Sequence, residues 1–384
     1  MPQDDCAPSA DLAKRFEAMT GKRPEVIASA PGRIEVLGNH TDYNAGLTLS
    51  CAVPMRCAVA LGPSDGPFDW LASTAFPGEP VRVLDRTSPP TDARWTHYVL
   101  GLIDGLERRG VVVPRIRLLI DSGVPAGAGV SSSAAFEVAV LTALCESVSA
   151  ELSPVEMARL CQYAEASHVG AKTGLLDPLS SLLGRVDSLL QIDFASMQTR
   201  AVPMPEGMSF LAIDSGVKHD LTGDYNVRRE ACESAARAMG VATLREATRA
   251  GLDDVAADLT DLERGCALHV IDEIARVSQA NDALERGAIE RFGELMFASH
   301  ESSRTHFRNS CDELDAVIEL AKGDPRCLGA RLSGGGFGGI AIALVKAAEA
   351  EALRSQLIAT LGPTASGQRW SAVCDPSAGA CVHR

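Results

Sequence analysis

The sequence predicts an α+β fold divided into two domains. Three observations lead there. A length of 384 residues is too much for one ordinary core. Short apolar runs and longer helical patterns are mixed along the whole chain, and they lack the strict strand–helix–strand alternation that a doubly wound parallel sheet requires. Aromatic residues make up 4% and hydrophobic residues 46%, so the cores are expected to be built mainly from Ala, Leu, Val and Ile.

Taken in order, residues 1–23 read as a leader with one amphipathic helix, Ser9 to Met19. The first domain, 24–200, alternates apolar runs with glycine and proline punctuation, the pattern of strands. In Arg115 to Asp121, Ile116, Leu118 and Ile120 recur at period two and predict a half-buried strand. A glycine loop follows, and Phe136, Val140, Leu141 and Leu144 then set a helical spacing over Ser131 to Ser147. Ser153, Pro154 and Glu156 form a helix start of the N-cap and N1-proline kind, leading a helix to about His168. Asp187 to Asp193 reads as a strand, and Pro203-Met-Pro205 as the crossing into the second domain, 206–384. There a strand, Met208 to Asp214, precedes helices at Tyr225 to Met239, His269 to Arg286, Ala288 to Arg304 and Cys311 to Lys322. A second glycine loop then opens into the strand Ile340 to Val345.

The net charge of −14, with no Lys/Arg block, argues against nucleic-acid or anionic-membrane binding, which need a positive field. No apolar run of 18 residues exists, and Asp4 and Asp5 stand where a signal peptide would carry positive charge. Eleven scattered cysteines, without a Cys-x-x-Cys pair, fit reduced thiols in a cytoplasm. A negative chain that binds a nucleotide must use a local site and a metal ion. That directs attention to glycine loops and single carboxylates.

The first loop, Pro125-Ala-Gly-Ala-Gly-Val-Ser-Ser-Ser-Ala134, lies between a strand and a helix start. Small residues let the backbone approach an anion, the helix N-terminus offers unpaired N–H groups, and the serines add hydroxyls. It lacks the Gly-Lys-Ser/Thr of a Walker A loop. The second loop, Leu332-Ser-Gly-Gly-Gly-Phe-Gly-Gly339, has five glycines in six residues. Such entropy loss is explained by a close backbone approach to a ligand or to the first loop. A third segment, Pro31-Gly-Arg-Ile-Glu-Val-Leu-Gly-Asn-His-Thr-Asp-Tyr43, clusters Arg33, His40 and Asp42 around a strand and turn, donors and acceptors suited to a polyhydroxylated ligand.

These three motifs, in this order, resemble those of the galacto-, homoserine, mevalonate and phosphomevalonate (GHMP) kinase superfamily. Trp95-Thr-His-Tyr-Val, Val217-Lys-His-Asp-Leu, Tyr225-Asn-Val-Arg-Arg, and Ser299-His ahead of Ser310-Cys-Asp-Glu-Leu-Asp narrow the resemblance to the galactokinases. It runs from about residue 24 to 345. It implies a GHMP kinase fold, with an N-terminal domain like ribosomal protein S5 domain 2 and a ferredoxin-like C-terminal domain. It also implies phosphorylation of the anomeric hydroxyl of a sugar by ATP with Mg²⁺, in a cytoplasmic monomer.

The resemblance further implies residue roles. Asp177, in Gly174-Leu-Leu-Asp177, faces the reacting hydroxyl as base or orienting charge, and Arg33 pairs with it and offsets charge on the phosphoryl group. Ser133 and Glu165 match the Mg²⁺ ligands; two are enough when phosphate and water supply the rest. Gly127, Ala128, Gly129, Val130, Ser131, Ser132 and Ser133, with Gly334, Gly335 and Gly336, match the ATP site, joined by Ser73 and Trp95 near the nucleoside. Asn39, His40, Thr41, Asp42, Gly174 and Tyr225 match the sugar contacts.

The sequence departs from the galactokinase pattern at three positions. Glu35 and Asn39 have exchanged residue types, and Pro178 replaces the usual glutamine. The glutamate expected at position 39 is associated with the sugar's C6 hydroxyl. A neutral Asn39 removes a repulsion against a C6 carboxylate, making galacturonic acid the alternative to galactose. A non-catalytic sugar sensor of the same family would lack the Ser133-Ala134 pair, which is present. An isoprenoid-pathway kinase would lack the galactokinase stretches.

Overall fold

The computed structural model describes residues 10–74, 82–87, 93–171, 173–217, 222–365 and 367–383. Residues 1–9 of the expected leader, and most of the Val217-Lys-His-Asp-Leu stretch, lie outside these. The leader's helix is α1 (Ala10–Thr20), whose Leu12 and Phe16 pack on the first sheet.

That sheet is built on a long antiparallel pair, β1 (Val26–Leu37) and β2 (Leu47–Pro63). β3 (Asp69–Ser73), β4 (Arg82–Leu84) and β5 (Ile116–Ser122) extend it in the order β1-β2-β5-β3-β4, with β3–β5 the parallel step. β6 (Ser188–Asp193) and β7 (Gln198–Pro203) branch from the other half of β2. Four helices cover one face: α2 (Thr96–Glu107), α3 (Ser132–Ser147), α4 (Pro154–Ala164) and α5 (Leu176–Leu183), with α3 and α5 directly on β1 and β2. β5 keeps its period-two face: Ile116, Leu118 and Ile120 are all buried.

The second sheet is antiparallel, in the order β11-β8-β10-β9, from β8 (Met208–Asp214), β9 (Cys327–Ser333), β10 (Ile340–Lys346) and β11 (Ser371–Cys374). Around it lie α6 (Thr222–Ala238), α7 (Arg249–Asp254), α8 (Asp261–Glu285), α9 (Ile289–Ser302), α10 (Asp312–Lys322) and α11 (Ala347–Leu361). The α+β reading stands, but two details differ. α8 begins eight residues before the expected His269, because Thr260 and Glu263 close a capping box there. The helix expected to run to His168 changes at Glu165 into a π turn, Glu165–Val169. Asp177 stands in the first turn of α5. Pro178 follows it there, where a missing N–H is tolerated.

The expected division at 206 is not followed by the end of the chain. The last strand, β12 (Cys381–His383), returns to the first sheet and pairs with β1. Arg56 draws it there by donating to the carbonyls of Ala378 (2.7 Å) and Gly379 (2.8 Å). The largest apolar core is likewise shared: Ile34, Val59 and Leu141 of the first half join one cluster with Phe210, Val277 and Phe292 of the second.

Candidate active site

β1 aims the first site residues. Ile34 and Val36 are fully buried in the core, while Arg33 and Glu35 alternate with them and face a cavity of about 260 Å³. Register shifts at Pro31/Arg33 and Glu35/Leu37 flank the two, re-aiming the strand as bulges do. Of the residues singled out in the sequence, Arg33, Asn39, His40, Asp42, Gly174, Asp177, Tyr225, Gly334 and Gly335 line this cavity. So does Glu35, one of the departures from the family pattern, and Thr173 and Asn226 join them.

Arg33 and Asp177 form a two-pronged ion pair: Nε donates to Oδ1 and Nη2 to Oδ2, each at 2.7 Å. Ser131 adds a 2.5 Å hydrogen bond to Oδ2. All three hydrogen bonds are donated to Asp177, the arrangement a carboxylate accepts. Arg33 Nη1 meets the Gly129 carbonyl at 3.0 Å, and the Arg33 peptide N–H meets that of Val130. The pair therefore bridges β1, the start of α5 and the first glycine loop. Ser131 adopts a left-handed conformation (φ 55°) to make its bond, a strain tolerated where the surroundings fix it.

At the other end of the cavity, His40 Nε2 faces the Gly335 carbonyl (3.1 Å) and Nδ1 the Tyr43 hydroxyl (2.9 Å). A carbonyl only accepts, so the proton sits on Nε2. Burial lowers the imidazole to about 4, and it is neutral at pH 7. Burial pushes the Asp42 carboxyl up to about 7, with Glu35 and Asp177 adding to the effect. Gly174 makes room for it: a methyl there would sit 1.9 Å from Asp42 Oδ2.

Thr41 is a correction. It is fully buried and off the cavity, because its hydroxyl serves the turn, donating to the Gly38 (2.8 Å) and Leu47 (2.7 Å) carbonyls. A second correction concerns charge. Asn39 is neutral, but the cavity has not lost a carboxylate, since Glu35 lines it and Asn39 donates to it at 2.9 Å.

The two glycine loops meet. A Cβ on Gly129 would lie 3.3 Å from the Ile340 nitrogen and 3.6 Å from Gly339, which explains glycine in both loops. Gly336 does not line the cavity; it packs on Asn309. Ser73 ends β3, and Trp95 packs against the core at the start of α2; neither reaches the cavity lining.

Beneath the first loop, Glu165 accepts from Ser133 and from Thr173, and burial pushes it up to about 7. Nothing in the sequence drew attention to Glu137 of α3. It is buried in contact with Glu165, and burial together with that neighbour holds it well above the carboxylate range. One of its oxygens, Oε1, is buried without a partner among the described residues. Ser133 and Glu165 are hard oxygen donors, the kind that suits Mg²⁺. Among the described residues no three His, Cys, Asp or Glu side chains converge to hold a metal, so such an ion needs ligands from a nucleotide.

The residues that brace the site come from the second half. Glu273 of α8 is fully buried and accepts from the Gly38 and Asn39 N–H groups (2.9 and 3.3 Å), Ser299 (2.7 Å) and Arg276 (2.6 Å). His269 and His300 are both packed in the interior; His269 Nε2 meets the Asn39 carbonyl at 3.2 Å.

Three family models match the chain: the galactokinase galactose-binding signature at residues 14–63, the GHMP kinases N terminal domain at 97–185 and the GHMP kinases C terminal domain at 280–363. A galactokinase of Chloroflexus aggregans is 37% identical over 375 residues, 96% of either chain. That of Homo sapiens is 37% identical over 351 residues, 89% of each. A crystal structure of Lactococcus lactis galactokinase complexed with galactose superposes with a TM-score of 0.90, covering 97% of this chain and 98% of that one at 27% identity. Mevalonate kinase, at 18% identity and a TM-score of 0.60, shares the fold. On this similarity over nearly its whole length, the chain belongs to the galactokinase family of the GHMP kinases.

Proposed function

We propose that the protein transfers the γ-phosphoryl group of ATP to the anomeric hydroxyl of galactose, releasing galactose 1-phosphate and ADP. The observation that carries this reading is the Arg33–Asp177–Ser131 constellation at the junction of two glycine loops and a sugar-sized cavity lined by charged and amide side chains. Asp177 accepts or orients the proton of the attacking hydroxyl. Arg33 commits Nε and one Nη2 hydrogen to Asp177 and one Nη1 hydrogen to Gly129. Its remaining N–H groups are left to a phosphoryl oxygen, where they offset charge developing in the transition state.

The backbone of Gly127 to Ser133 and of Gly334 to Gly336 takes the phosphates, with Ser73 and Trp95 toward the nucleoside. Asn39, His40, Asp42, Gly174 and Tyr225 shape the sugar end. Ser133 and Glu165 hold the Mg²⁺ that accompanies ATP, whose contribution is to neutralise phosphate charge. Glu137 backs Glu165 from the side away from solvent. The reading carries with it a cytoplasmic monomer, in keeping with the free thiols of every described cysteine. Among the described residues no helix is long and apolar enough to cross a membrane.

The test is ADP release with Mg·ATP and galactose, with the product's phosphorylated carbon identified by ³¹P–¹H NMR. Phosphate on C1 is the expected result. No ADP release above the sugar-free rate, or phosphate on another carbon, rejects the reading.

A further inference from the structure

Asn39 is spent. Its Nδ2 donates to Glu35 Oε1 (2.9 Å) and to the Gly334 carbonyl (2.7 Å), and its Oδ1 accepts from Asn309 (2.9 Å). Its peptide N–H goes to Glu273 and its carbonyl to His269. It cannot turn toward a ligand without breaking bonds among buried groups, each of which is costly to leave unpaired.

Glu35 is in the opposite position. Oε1 takes both of its hydrogen bonds, from Asn39 and from Arg331 Nη1 at 3.1 Å. Oε2 accepts from no described residue, and the side chain lines the cavity. Arg331 is fully buried behind it and is not part of the lining, so it fixes the carboxylate without facing the ligand. The described lining therefore presents three carboxylates, Glu35, Asp42 and Asp177, against one cation, Arg33, which is already bound to Asp177.

We infer that Glu35, not Asn39, reads the sugar at this wall, accepting a hydrogen bond from a neutral hydroxyl and excluding any sugar that carries a carboxylate there. The substrate class is then a neutral hexose, and hexuronic acids are rejected. This rests on the kinase reading above. Two carboxylates about 5 Å apart at an effective dielectric near 20 repel by a factor of about 100 or more in binding.

The experiment measures kcat/KM for galactose and galacturonate, and sugar binding by calorimetry without ATP, in the wild type, Glu35→Gln and the exchange variant Glu35→Asn/Asn39→Glu. The wild type is expected to prefer galactose about 100-fold or more. Glu35→Gln is expected to narrow that preference at least about tenfold. The exchange variant, which keeps one carboxylate and one amide at this wall, is expected to restore it. Wild-type use of galacturonate within about tenfold of galactose overturns the inference, as does an unchanged preference in a folded Glu35→Gln. If Glu35→Gln does not fold, the wild-type ratio and the exchange variant still decide. Should no sugar elicit ADP release while calorimetry shows galactose bound in preference to galacturonate, the kinase reading falls and the role of Glu35 stands.

Discussion

Replacing Gly174 by alanine perturbs the cavity at one defined point. The added methyl would lie 1.9 Å from Asp42 Oδ2, more than an ångström inside any tolerable contact. The struck atom is the far end of a side chain, so the structure yields by rotating the Asp42 carboxylate away rather than by moving backbone. On the proposed reading, the cost is the hydrogen bond that carboxylate makes to the sugar. Bonds to charged groups contribute about 1.5–3 kcal/mol, which corresponds to about 10- to 150-fold in kcat/KM for galactose.

The loss should fall mainly on KM, because Asp177 and Arg33 are untouched. Stability should change by under about 1 kcal/mol, since Asp42 leaves a site where burial already disfavours its charge. Steady-state kinetics and thermal denaturation of Gly174→Ala, Asp42→Ala and the double variant decide. If the methyl acts only through Asp42, the double variant is no worse than Asp42→Ala. Additive losses, or an unchanged KM in Gly174→Ala, would refute the displacement.

Asp177→Asn and Arg33→Ala should each lower kcat by about 10²- to 10⁴-fold with a native circular-dichroism spectrum, and near-normal turnover in either sinks the mechanism. Asp42 and Glu165 both titrate near 7, so kcat/KM should rise as pH increases through neutrality and both ionise; a profile flat from pH 5.5 to 8.5 contradicts it. In the unliganded protein the sign for stability is opposite. Both folded values lie above the unfolded ones, so this contribution is present at acid pH and lost as pH rises toward 7, and differential scanning fluorimetry should show a lower Tm at pH 8 than at pH 6. Glu273→Ala leaves the partly buried Arg276 and the buried Ser299 without their carboxylate and should cost about 3–5 kcal/mol in urea denaturation; a loss under 1 kcal/mol would show that the pair does not brace the Gly38–Asn39 turn.

The elements that were legible are those whose signal is local. The period of Ile116, Leu118 and Ile120 marked β5, and Ser153-Pro154 with Glu156 marked the start of α4, where the capping box forms. β12 was not legible, because nothing near Cys381 encodes a pairing with Ser29; that strand is held by Arg56, a residue more than 300 positions away. α5 was hidden because Gly174 and Pro178 punctuate it like a turn. In the site, motif order identified Arg33 and Asp177, but motif membership also swept in Thr41, whose hydroxyl answers to the backbone. The exchange of Glu35 and Asn39 was visible as a change at two positions. That the two touch, and that the charge therefore stays in the cavity, required β1 to be folded against its following turn. Glu137 left one faint signal, a single charge in the apolar run Ala134 to Val140.

The crowding of carboxylates has a consequence for how the site works. Glu35, Asp42 and Asp177 surround the cavity, and Glu137 and Glu165 face each other under the first loop. Burial holds Asp42 and Glu165 at about 7, so the empty site carries groups whose charge the protein alone does not satisfy. Such groups do not stabilise a fold. On the proposed reading, each is matched by a substrate: hydroxyl donors of a neutral sugar for Glu35 and Asp42, a divalent cation arriving with ATP for Glu165. Arg33 stands between the two ends, tied to Asp177 on one side and to the Gly129 carbonyl on the other. The acidic end then accepts only a neutral hydroxylated ligand and the glycine-rich end only an anion. This asymmetry orients the pair of substrates, and Asp177 is the acid group that lies where they meet.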